Sequence, residues 1–378
     1  MSGQYLNIVS FTIPFPANYG GVIDVYYKLL ALKNHGIKVI LHCYQYDREP
    51  APQLEPLCEK VYYYARNTGF TAQLSFKPYI VKSRQSSELL RNLLSNSYPI
   101  LFEGLHSCYF LDHPALKNHL KIYRESNIEH QYYLNLAKSE RKLSHRIFFL
   151  IESLKLKFFQ QVLANADLML VVSEQDTKYL QKKFPGKKII YLPSFHGNTE
   201  VKSLSGIGKY VLYHGNLSVA ENERVAEFLI REVFEGQDIP LIIAGLNPSL
   251  QLKNLASAKG IKLTENPSDQ EMSKLIQDAQ INLLVTFQAT GLKLKLLNTL
   301  FNGRFCLVNR QMLSGTGLED LCVIAESATE IRNKVEQLFI SEFEAQLLEK
   351  RRSILQERYS DEVNVSKMLE LIQNTQPT

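Results

Sequence analysis

A pair of lysines near the start of a predicted helix is the most distinctive chemical feature of this sequence. Lys293 and Lys295 follow Gly291, and the apolar pattern after them predicts a helix from Gly291 to Asn302. Cations in the first turn of a helix oppose its dipole, so they are unfavourable there unless an anion is bound. A glycine, two lysines and a helix N-terminus together are typical of a phosphate clamp. Two solvated lysines on a surface helix are the alternative interpretation.

A glycine-containing loop near the amino terminus is the second candidate. The loop Thr12 to Gly21 (TIPFPANYGG) follows the first predicted strand, and its last residues, Gly20 and Gly21, open a helix without side-chain bulk. A diphosphate could approach the backbone closely at such a point. A tight strand-to-helix turn without a ligand explains the same glycines equally well. The loop lacks the G-x-G-x-x-G dinucleotide fingerprint, which disfavours a nicotinamide-dependent dehydrogenase.

The elements that must position these residues alternate regularly along the chain. Short β-rich runs and amphipathic stretches follow one another almost from end to end, which is typical of parallel α/β sheets. The composition of residues 194–209 shifts to His, Gly, Asn, Thr and Ser, which predicts a linker between domains. The alternation restarts with a strand at Tyr210. We therefore expect an α/β fold with two doubly wound parallel-sheet domains.

Length and composition set the class of protein. The chain has 378 residues, of which 45% are hydrophobic and 21% charged, as expected for a globular protein of two domains. Its net charge of +5 suits anionic ligands or a membrane surface but is too small for a nucleic-acid-binding protein. The five cysteines show no C-x-x-C spacing, which argues against a disulfide framework or a zinc site. No signal peptide and no apolar run of ~18 residues is evident, so we expect a cytoplasmic protein.

Three segments stand out by their order and spacing, namely NIVSFTIPFPANYGGVIDVYYKLLALKNHGIKV, YVLYHGNLSVAEN and GLKLKLLNTLFNGRFCLVN. Together they resemble GT-B fold glycosyltransferases of the family-4 type (glycosyl transferases group 1), and the resemblance covers nearly the whole chain. It implies two Rossmann-like domains that face an interdomain cleft. The second would hold most of a nucleotide-sugar donor, and the first most of the acceptor. We expect these domains at 206–357 and 1–200, with a C-terminal helix at 358–378 crossing back to the first.

The resemblance also implies roles for individual residues. The implied catalytic residues are His106, Lys293 and Lys295, and the implied donor-binding residues are Gly20, Gly21, His214, Gly215, Asn216, Thr290, Gly291 and Asn298, with Asn222 capping the helix after the turn. Asn127, Glu129 and His130 are candidates to contact sugar or acceptor hydroxyls. A half-buried histidine after a strand is the alternative for His106, and the first turn of a solvated helix is the alternative for Glu129 and His130.

Two departures from the family pattern bear on activity. Typical members carry a Glu-x7-Glu motif where this chain has Thr290 and Asn298, and GNLSVAEN lacks the usual basic residues. Phosphate charge would then fall to Lys293 and Lys295. The expected function is a retaining transfer of sugar from a nucleotide-sugar donor to a hydroxyl of a glycan or glycolipid, in surface polysaccharide synthesis. The alternatives are a catalytically silent GT-B-like binding or scaffold subunit and a GT-B-fold sugar-nucleotide epimerase.

Partners and cofactors follow from the remaining patterns. No D-x-D triplet occurs in the sequence, so we expect a metal-independent reaction with no cofactor other than the nucleotide-sugar co-substrate, and no nucleic-acid partner. A single long helical pattern from Lys138 to Leu163 mixes basic residues with an apolar face. Such a helix could lie on the inner face of an anionic membrane and bring the enzyme to a lipid-linked acceptor. The favoured alternative is a helix packed on the sheet of the first domain.

Overall fold

The structure, a computed structural model, describes residues 4–140, 142–287 and 293–375. The chain divides into two compact units. Unit 1 comprises Met1–Gly197 and Asp361–Thr378, and unit 2 comprises Asn198–Ser360. Each unit is a parallel sheet with helices around it, so the predicted fold class is confirmed.

Unit 1 is built on a seven-stranded parallel sheet with the order β3-β2-β1-β4-β5-β6-β7. Its strands are β1 Tyr5–Ser10, β2 Lys38–Gln45, β3 Lys60–Ala65, β4 Ile100–Glu103, β5 Lys121–Glu125, β6 Leu168–Val171 and β7 Lys188–Tyr191. Its helices are α1 Gly20–Asn34, α2 Phe70–Gln73, α3 Tyr79–Lys82, α4 Ser87–Leu93, α5 Glu129–Ser139, α6 Leu143–Phe159 and α7 Glu174–Lys183, together with the C-terminal helix Asp361–Gln373.

The core of unit 1 lies on both faces of this sheet. Every residue of β4 and β6 is buried, and all but Glu103 of β4 are apolar, as expected for strands covered on both sides. On one face, Val25, Leu29 and Leu32 of α1 pack at helical spacing against the sheet. Val365 and Met368 of the C-terminal helix are buried in the same cluster. The last helix of the chain is therefore part of the core of unit 1.

Unit 2 repeats the design with six parallel strands in the order β10-β9-β8-β11-β12-β13. The strands are β8 Val211–Asn216, β9 Leu241–Leu246, β10 Lys262–Glu265, β11 Ile281–Leu284, β12 Phe305–Val308 and β13 Val323–Ile324. The helices are α8 Ala220–Phe228, extended by a π-turn at Leu229–Val233, then α9 Leu250–Ala258, α10 Asp269–Asp278, α11 Leu294–Asn302, α12 Arg310–Leu313, α13 Ala328–Phe339 and α14 Ala345–Tyr359. The C-terminal helix of unit 1 is α15.

The strand order places a topological switch point in each sheet. In unit 1, β1 pairs with β2 on one side and β4 on the other, and in unit 2, β8 pairs with β9 and β11. At such a point the crossover connections run in opposite directions, which opens a crevice outside the carboxyl ends of the strands. The residues after β1, β4 and β8 are therefore the first place to look for a ligand site.

Two local predictions are wrong. The expected long helix from Lys138 to Leu163 is divided between α5 and α6, because Glu140 adopts an extended conformation with ψ of 133°. The Glu140 carboxylate also accepts a hydrogen bond of 2.9 Å from the backbone N–H of Lys142, which favours a turn over a continuous helix. Asn222 does not cap α8, since the helix begins earlier with Val219 at the cap position.

No helix in the described parts of the chain has both the length and the apolar composition to span a membrane.

Candidate functional site

Aromatic, imidazole and carboxyl side chains meet at the carboxyl ends of β1, β4 and β5. Phe11 follows β1, His106 lies on a short 3-10 helix after β4, and Glu129 begins α5. The ring centroids of Phe11 and His106 are 5.5 Å apart, and His106 Nδ1 lies 3.7 Å from Glu129 Oε1. Gly104 makes the turn between β4 and His106 with a φ of +68°, in the left-handed region that favours glycine.

The His106 and Glu129 side chains are both held in neutral forms. Burial lowers the pKa of His106 well below its usual range, and the charges of Arg84 and Arg66 lower it further. Burial raises the pKa of Glu129 to about 8, against the opposing effect of Arg84. A neutral imidazole and a protonated carboxyl can each donate and accept hydrogen bonds. This pair therefore suits a hydroxyl-rich ligand.

Asn127 and His130 flank this pair but differ in their surroundings. The backbone N–H of Asn127 donates to Glu125 Oε1 at 3.1 Å, while Asn127 Oδ1 has no hydrogen-bond partner among the described residues. The His130 ring instead faces α7, with its centroid 6.1 Å from that of Tyr179. Burial, with Lys183 and Lys157, lowers the pKa of His130 to about 4.

The glycine loop leads from β1 into α1. Gly20 is the first residue of the helix, as predicted from the sequence within one position. A Cβ atom on Gly21 would lie 2.7 Å from Cζ of Phe11, so the ring can occupy this position because residue 21 has no side chain. Arg48 fixes the loop from outside by donating to the Pro16 carbonyl at 2.6 Å.

In unit 2, a histidine and a lysine meet at the carboxyl end of β8. His214 Nε2 is 3.1 Å from Oγ1 of Thr299, which lies on α11. Burial lowers the pKa of His214 to about 3, and the charge of Lys295 contributes in the same direction. Lys295 and Thr299 are four residues apart on α11 and so share one face of the helix. The buried histidine is therefore neutral and lies beside a cation.

Lys295 lies in the first turn of α11 and is half-buried, with its Nζ 5.9 Å from the centre of the Tyr213 ring. Burial lowers its pKa, although the charge of Glu221 acts against this effect. Lys293 precedes the helix at the cap position, where its backbone carbonyl accepts from Leu296 at 2.9 Å. No acidic residue occupies the first turn of α11. Thr290 and Gly291 lie outside the described residues.

The turn after β8 is closely packed. A Cβ on Gly245 of β9 would lie 1.9 Å from the carbonyl oxygen of Gly215, so the two strands approach each other where neither has a side chain. The Asn216 carbonyl accepts from Asn222 Nδ2 at 2.8 Å, and Asn216 Oδ1 accepts from the Ser218 N–H at 3.1 Å. Gly215 and Asn216 therefore form the fixed carboxyl end of β8 at the switch point.

Asn298 stands further along α11. Its Oδ1 accepts a hydrogen bond from Asn302 Nδ2 at 3.0 Å, and Asn302 Nδ2 also lies 3.0 Å from Asn198 Oδ1. The amide of Asn298 thus takes part in a local network. The structure brings Lys295 and His214 together in unit 2, and His106 and Glu129 together in unit 1.

Comparison with known proteins gives the fold a name. No family model matches the chain. A Klebsiella pneumoniae protein described as an uncharacterized 44.6 kDa protein in the cps region is 27% identical over 332 residues, covering 82% of this chain and 84% of that protein. Among solved structures, sucrose-phosphate synthase from Thermosynechococcus elongatus matches with a TM-score of 0.70 at 14% identity, covering 98% of both chains. The chain has the GT-B fold of the glycosyltransferases.

Two further GT-B structures match over the full chain. Anabaena HepE, solved with UDP and glucose, has a TM-score of 0.66 at 10% identity, covering 98% of this chain and 99% of that one. A UDP-forming α,α-trehalose-phosphate synthase from Burkholderia xenovorans, solved with glucose-6-phosphate, has a TM-score of 0.63 at 12% identity, covering 98% and 100%. The GT-B fold expected from the resemblance is confirmed, whereas the family-4 subtype stays a prediction.

Two arginines near the His106 and Glu129 pair of unit 1 were not predicted from the sequence. Arg84 follows α3 and is buried, with Nε donating to the Phe11 carbonyl at 2.8 Å and Nη1 to the Ile80 carbonyl at 2.5 Å. Arg66 follows β3, and its Nε donates to Ser83 Oγ at 2.8 Å. The segment around Arg84 forms only short helices, so no regular periodicity in the sequence could place it.

A buried charge network in unit 1 was also not predicted from the sequence. Lys28 of α1 donates to Asp24 at 2.9 Å and to Glu103 at 2.6 Å, while Arg124 Nη2 donates to Asp24 at 2.9 Å and to the Pro193 carbonyl at 2.9 Å. Burial raises the pKa of Asp24, but Arg124 and Lys28 outweigh it and hold that pKa well below its usual range. The network joins α1 to the ends of β4 and β5.

Proposed function

We propose that the protein is a retaining glycosyltransferase that transfers a sugar from a nucleotide-sugar donor to a hydroxyl of a glycan or glycolipid acceptor. The observation that carries the proposal is the Lys295 and His214 arrangement at the switch point of unit 2. The GT-B fold supports it, as do the UDP in the HepE structure and the UDP-forming activity in the name of the trehalose-phosphate synthase. A role in surface polysaccharide synthesis is supported by the relative in a cps region.

In this proposal the donor diphosphate binds near Lys295. The bond between the anomeric carbon and the diphosphate oxygen breaks, and negative charge develops on the leaving nucleoside diphosphate. A fixed cation near that charge lowers the barrier, and such a donor typically contributes ~3–4 kcal/mol. The buried, neutral His214 keeps Lys295 the sole formal charge of this pair. The carboxyl end of β8 at Gly215 and Asn216 lets the backbone approach the phosphates.

The acceptor binds at the His106 and Glu129 pair of unit 1. Its hydroxyl oxygen forms the new bond to the anomeric carbon on the face from which the diphosphate departs, which retains the anomeric configuration, and its proton leaves with the diphosphate. The neutral imidazole of His106 and the protonated carboxyl of Glu129 orient sugar hydroxyls. Because Lys295 supplies positive charge and the sequence has no D-x-D triplet, the proposed reaction is independent of metal ions.

Peripheral contact with an anionic membrane is the second part of the proposal. Glu152, Ser153 and Leu156 are the buried residues of α6, whereas Leu143 is 70% and Phe158 77% exposed. Helix α6 is thus only partly covered by unit 1, and it carries basic residues among its exposed apolar ones. An amphipathic surface of this kind binds acidic lipid headgroups. Such contact would bring the enzyme to a lipid-linked acceptor.

A catalytically silent scaffold is the alternative function, and one observation favours it. Asn298 stands where typical family members have a glutamate, and its side chain is already bonded to Asn302. Calorimetric titration with a panel of nucleoside diphosphates separates the two functions. We expect one of them to bind and Lys295→Met to weaken its binding at least tenfold. Absence of binding to every nucleotide would contradict the transferase and favour the scaffold.

A further inference from the structure

Two arginines of the unit 1 site have no carboxylate partner in the part of the chain that the structure describes. Among the described residues, no ion pair involves Arg66 or Arg84, and Arg84 donates to the neutral carbonyls of Phe11 and Ile80. Buried charges in proteins are normally paired with an opposite charge, because transfer out of water is costly. Arg84 is only 5% exposed. The guanidinium of Arg66 lies over the rings of Tyr46 and Tyr79, and that of Arg84 over the ring of Tyr44. Aromatic rings and neutral carbonyls, but no carboxylate among the described residues, therefore face this positive charge.

The arginines adjoin the His106 and Glu129 pair through direct contacts. Arg66 is bonded to Ser83, the residue before Arg84, and Arg84 is bonded to the carbonyl of Phe11. The Phe11 ring in turn lies against His106. These residues come from the ends of β1, β3 and β4 and the chain after α3, so they converge at the carboxyl edge of one parallel sheet.

Carboxylates nearby do not cancel this charge. Glu129 interacts with Arg84 beyond ion-pair distance and is held protonated by its burial. The charge of Glu152 contributes to the raised pKa of Tyr133, but the Glu152 carboxylate is paired with Lys155, with Oε1 2.8 Å from Nζ. The hydroxyl of Thr12, next to Phe11, is buried and has no hydrogen-bond partner among the described residues. This part of unit 1 thus combines two cations with three neutral groups that can donate hydrogen bonds, namely the histidine, the carboxylic acid and the Thr12 hydroxyl. Such a combination can bind an anion that has several oxygens.

We propose that Arg66 and Arg84 form a subsite in unit 1 for a phosphate monoester carried by the acceptor. This inference rests on the proposed function, because it defines the acceptor class at the same site. Arginine presents its N–H groups in a fork that matches phosphate oxygens, and the resulting charge-assisted bonds are shorter and stronger than neutral ones. A monoester carries a charge of about −1.5 to −2 near neutral pH, which balances two arginines. A carboxylate or a phosphodiester carries only one negative charge and would leave one arginine uncompensated.

Binding of three sugars that differ in one group tests this subsite. The probes are glucose 6-phosphate, glucuronate and glucose, titrated into the full chain by calorimetry or ligand-observed NMR. We expect glucose 6-phosphate to bind about tenfold or more tightly than the other two. Equal binding of the three probes, or preference for glucuronate, would overturn the proposal. Inorganic phosphate should compete with glucose 6-phosphate, and failure to compete would also count against it.

Variants locate the bound phosphate. Arg66→Gln, at a half-buried position, and Arg84→Lys, which keeps the charge but not the fork, should each weaken glucose 6-phosphate binding about tenfold. Arg91→Gln, on the exposed end of α4, is the matched control and should bind like the wild type. Wild-type affinity in both Arg66→Gln and Arg84→Lys would refute the subsite. Loss of binding in Lys295→Met with retention in the arginine variants would place the anion in unit 2 and equally refute it.

A parallel titration with UDP separates this inference from the function on which it rests. If UDP binds and glucose 6-phosphate does not, the phosphate subsite is wrong while the transferase proposal stands. If no nucleoside diphosphate binds but glucose 6-phosphate does, the transferase proposal fails and the anion site remains as a binding site. Arg66→Gln should leave UDP affinity unchanged, and a parallel loss of both ligands in that variant would contradict a separate subsite.

Discussion

Replacing Lys295 with methionine removes the positive charge proposed to stabilise the leaving diphosphate while keeping much of the aliphatic volume. Lys295 is half-buried in the first turn of α11, and burial already lowers its pKa. Its charge therefore acts in a medium less polar than water. At an effective dielectric constant of 20, two unit charges about 4 Å apart interact by about 4 kcal/mol, compared with about 1 kcal/mol in bulk water.

This energy sets the expected loss of activity. About 4 kcal/mol of transition-state stabilisation corresponds to roughly a thousandfold in rate, since each 1.36 kcal/mol is tenfold. A solvent-exposed lysine would contribute only about fivefold on the same scale. We therefore expect Lys295→Met to lower kcat/KM for the nucleotide-sugar by a factor of about 100 to 1,000, consistent with measured losses of single electrostatic donors.

The assay is the initial rate of nucleoside diphosphate release at subsaturating donor, with Lys274→Met as the control. Lys274 lies on the exposed side of α10 in the same unit and should retain the wild-type rate. Unfolding midpoints of both variants establish that the loss is not structural. A Lys295→Met enzyme that keeps more than about a fifth of the wild-type kcat/KM would rule out this role for Lys295, because the lysine would then act as a solvated charge.

Three further predictions concern stability. Burial raises the pKa of Glu129 to about 8 from a usual value of 4.5, so the folded wild type should lose stability relative to Glu129→Gln as the pH rises between those values, by up to about 1.4 kcal/mol per pH unit. Denaturation of both proteins across this pH range measures the difference in their free energies of unfolding, and a difference that does not change with pH would contradict the prediction. Gly245→Ala should lower the free energy of unfolding by more than about 2 kcal/mol, because the added Cβ would lie 1.9 Å from the carbonyl oxygen of Gly215. A urea denaturation midpoint equal to that of the wild type would contradict this prediction. Lys28→Met should lower the free energy of unfolding by about 3–5 kcal/mol, because it leaves the buried Glu103 carboxylate without its cation. Lys33→Met, on the exposed face of α1, should leave the free energy of unfolding unchanged in the same measurement.

Much of the fold could be predicted from the sequence because parallel strands buried on both faces read as short apolar runs. The strand with which the alternation was expected to restart, at Tyr210, lies one residue before the observed start of β8 at Val211. The break between α5 and α6 could not be predicted in this way. It depends on a turn at Glu140 that leaves the helical periodicity on both sides intact.

The candidate site was predictable only where its residues share a local motif. Gly20, Lys295 and His214 lie at junctions between strands and helices. The sequence pattern predicts these junctions, and ligands of parallel α/β sheets bind there. Arg84 acts at the same edge of unit 1, but its position depends on short helices whose packing leaves no repeating pattern. Thr299 could have been found, since it lies four residues after Lys295 on the face that meets His214.

The anomeric configuration of the product is the most decisive measurement of the proposed retaining transfer. The purified protein is incubated with a panel of nucleotide-sugars and a phosphorylated sugar acceptor, and proton NMR records the sugar that is transferred. We expect acceptor-dependent release of one nucleoside diphosphate without added metal, and a glycoside with the same anomeric configuration as the donor. Inversion at the anomeric carbon, or donor turnover that yields an epimerised nucleotide-sugar without any acceptor, would contradict it.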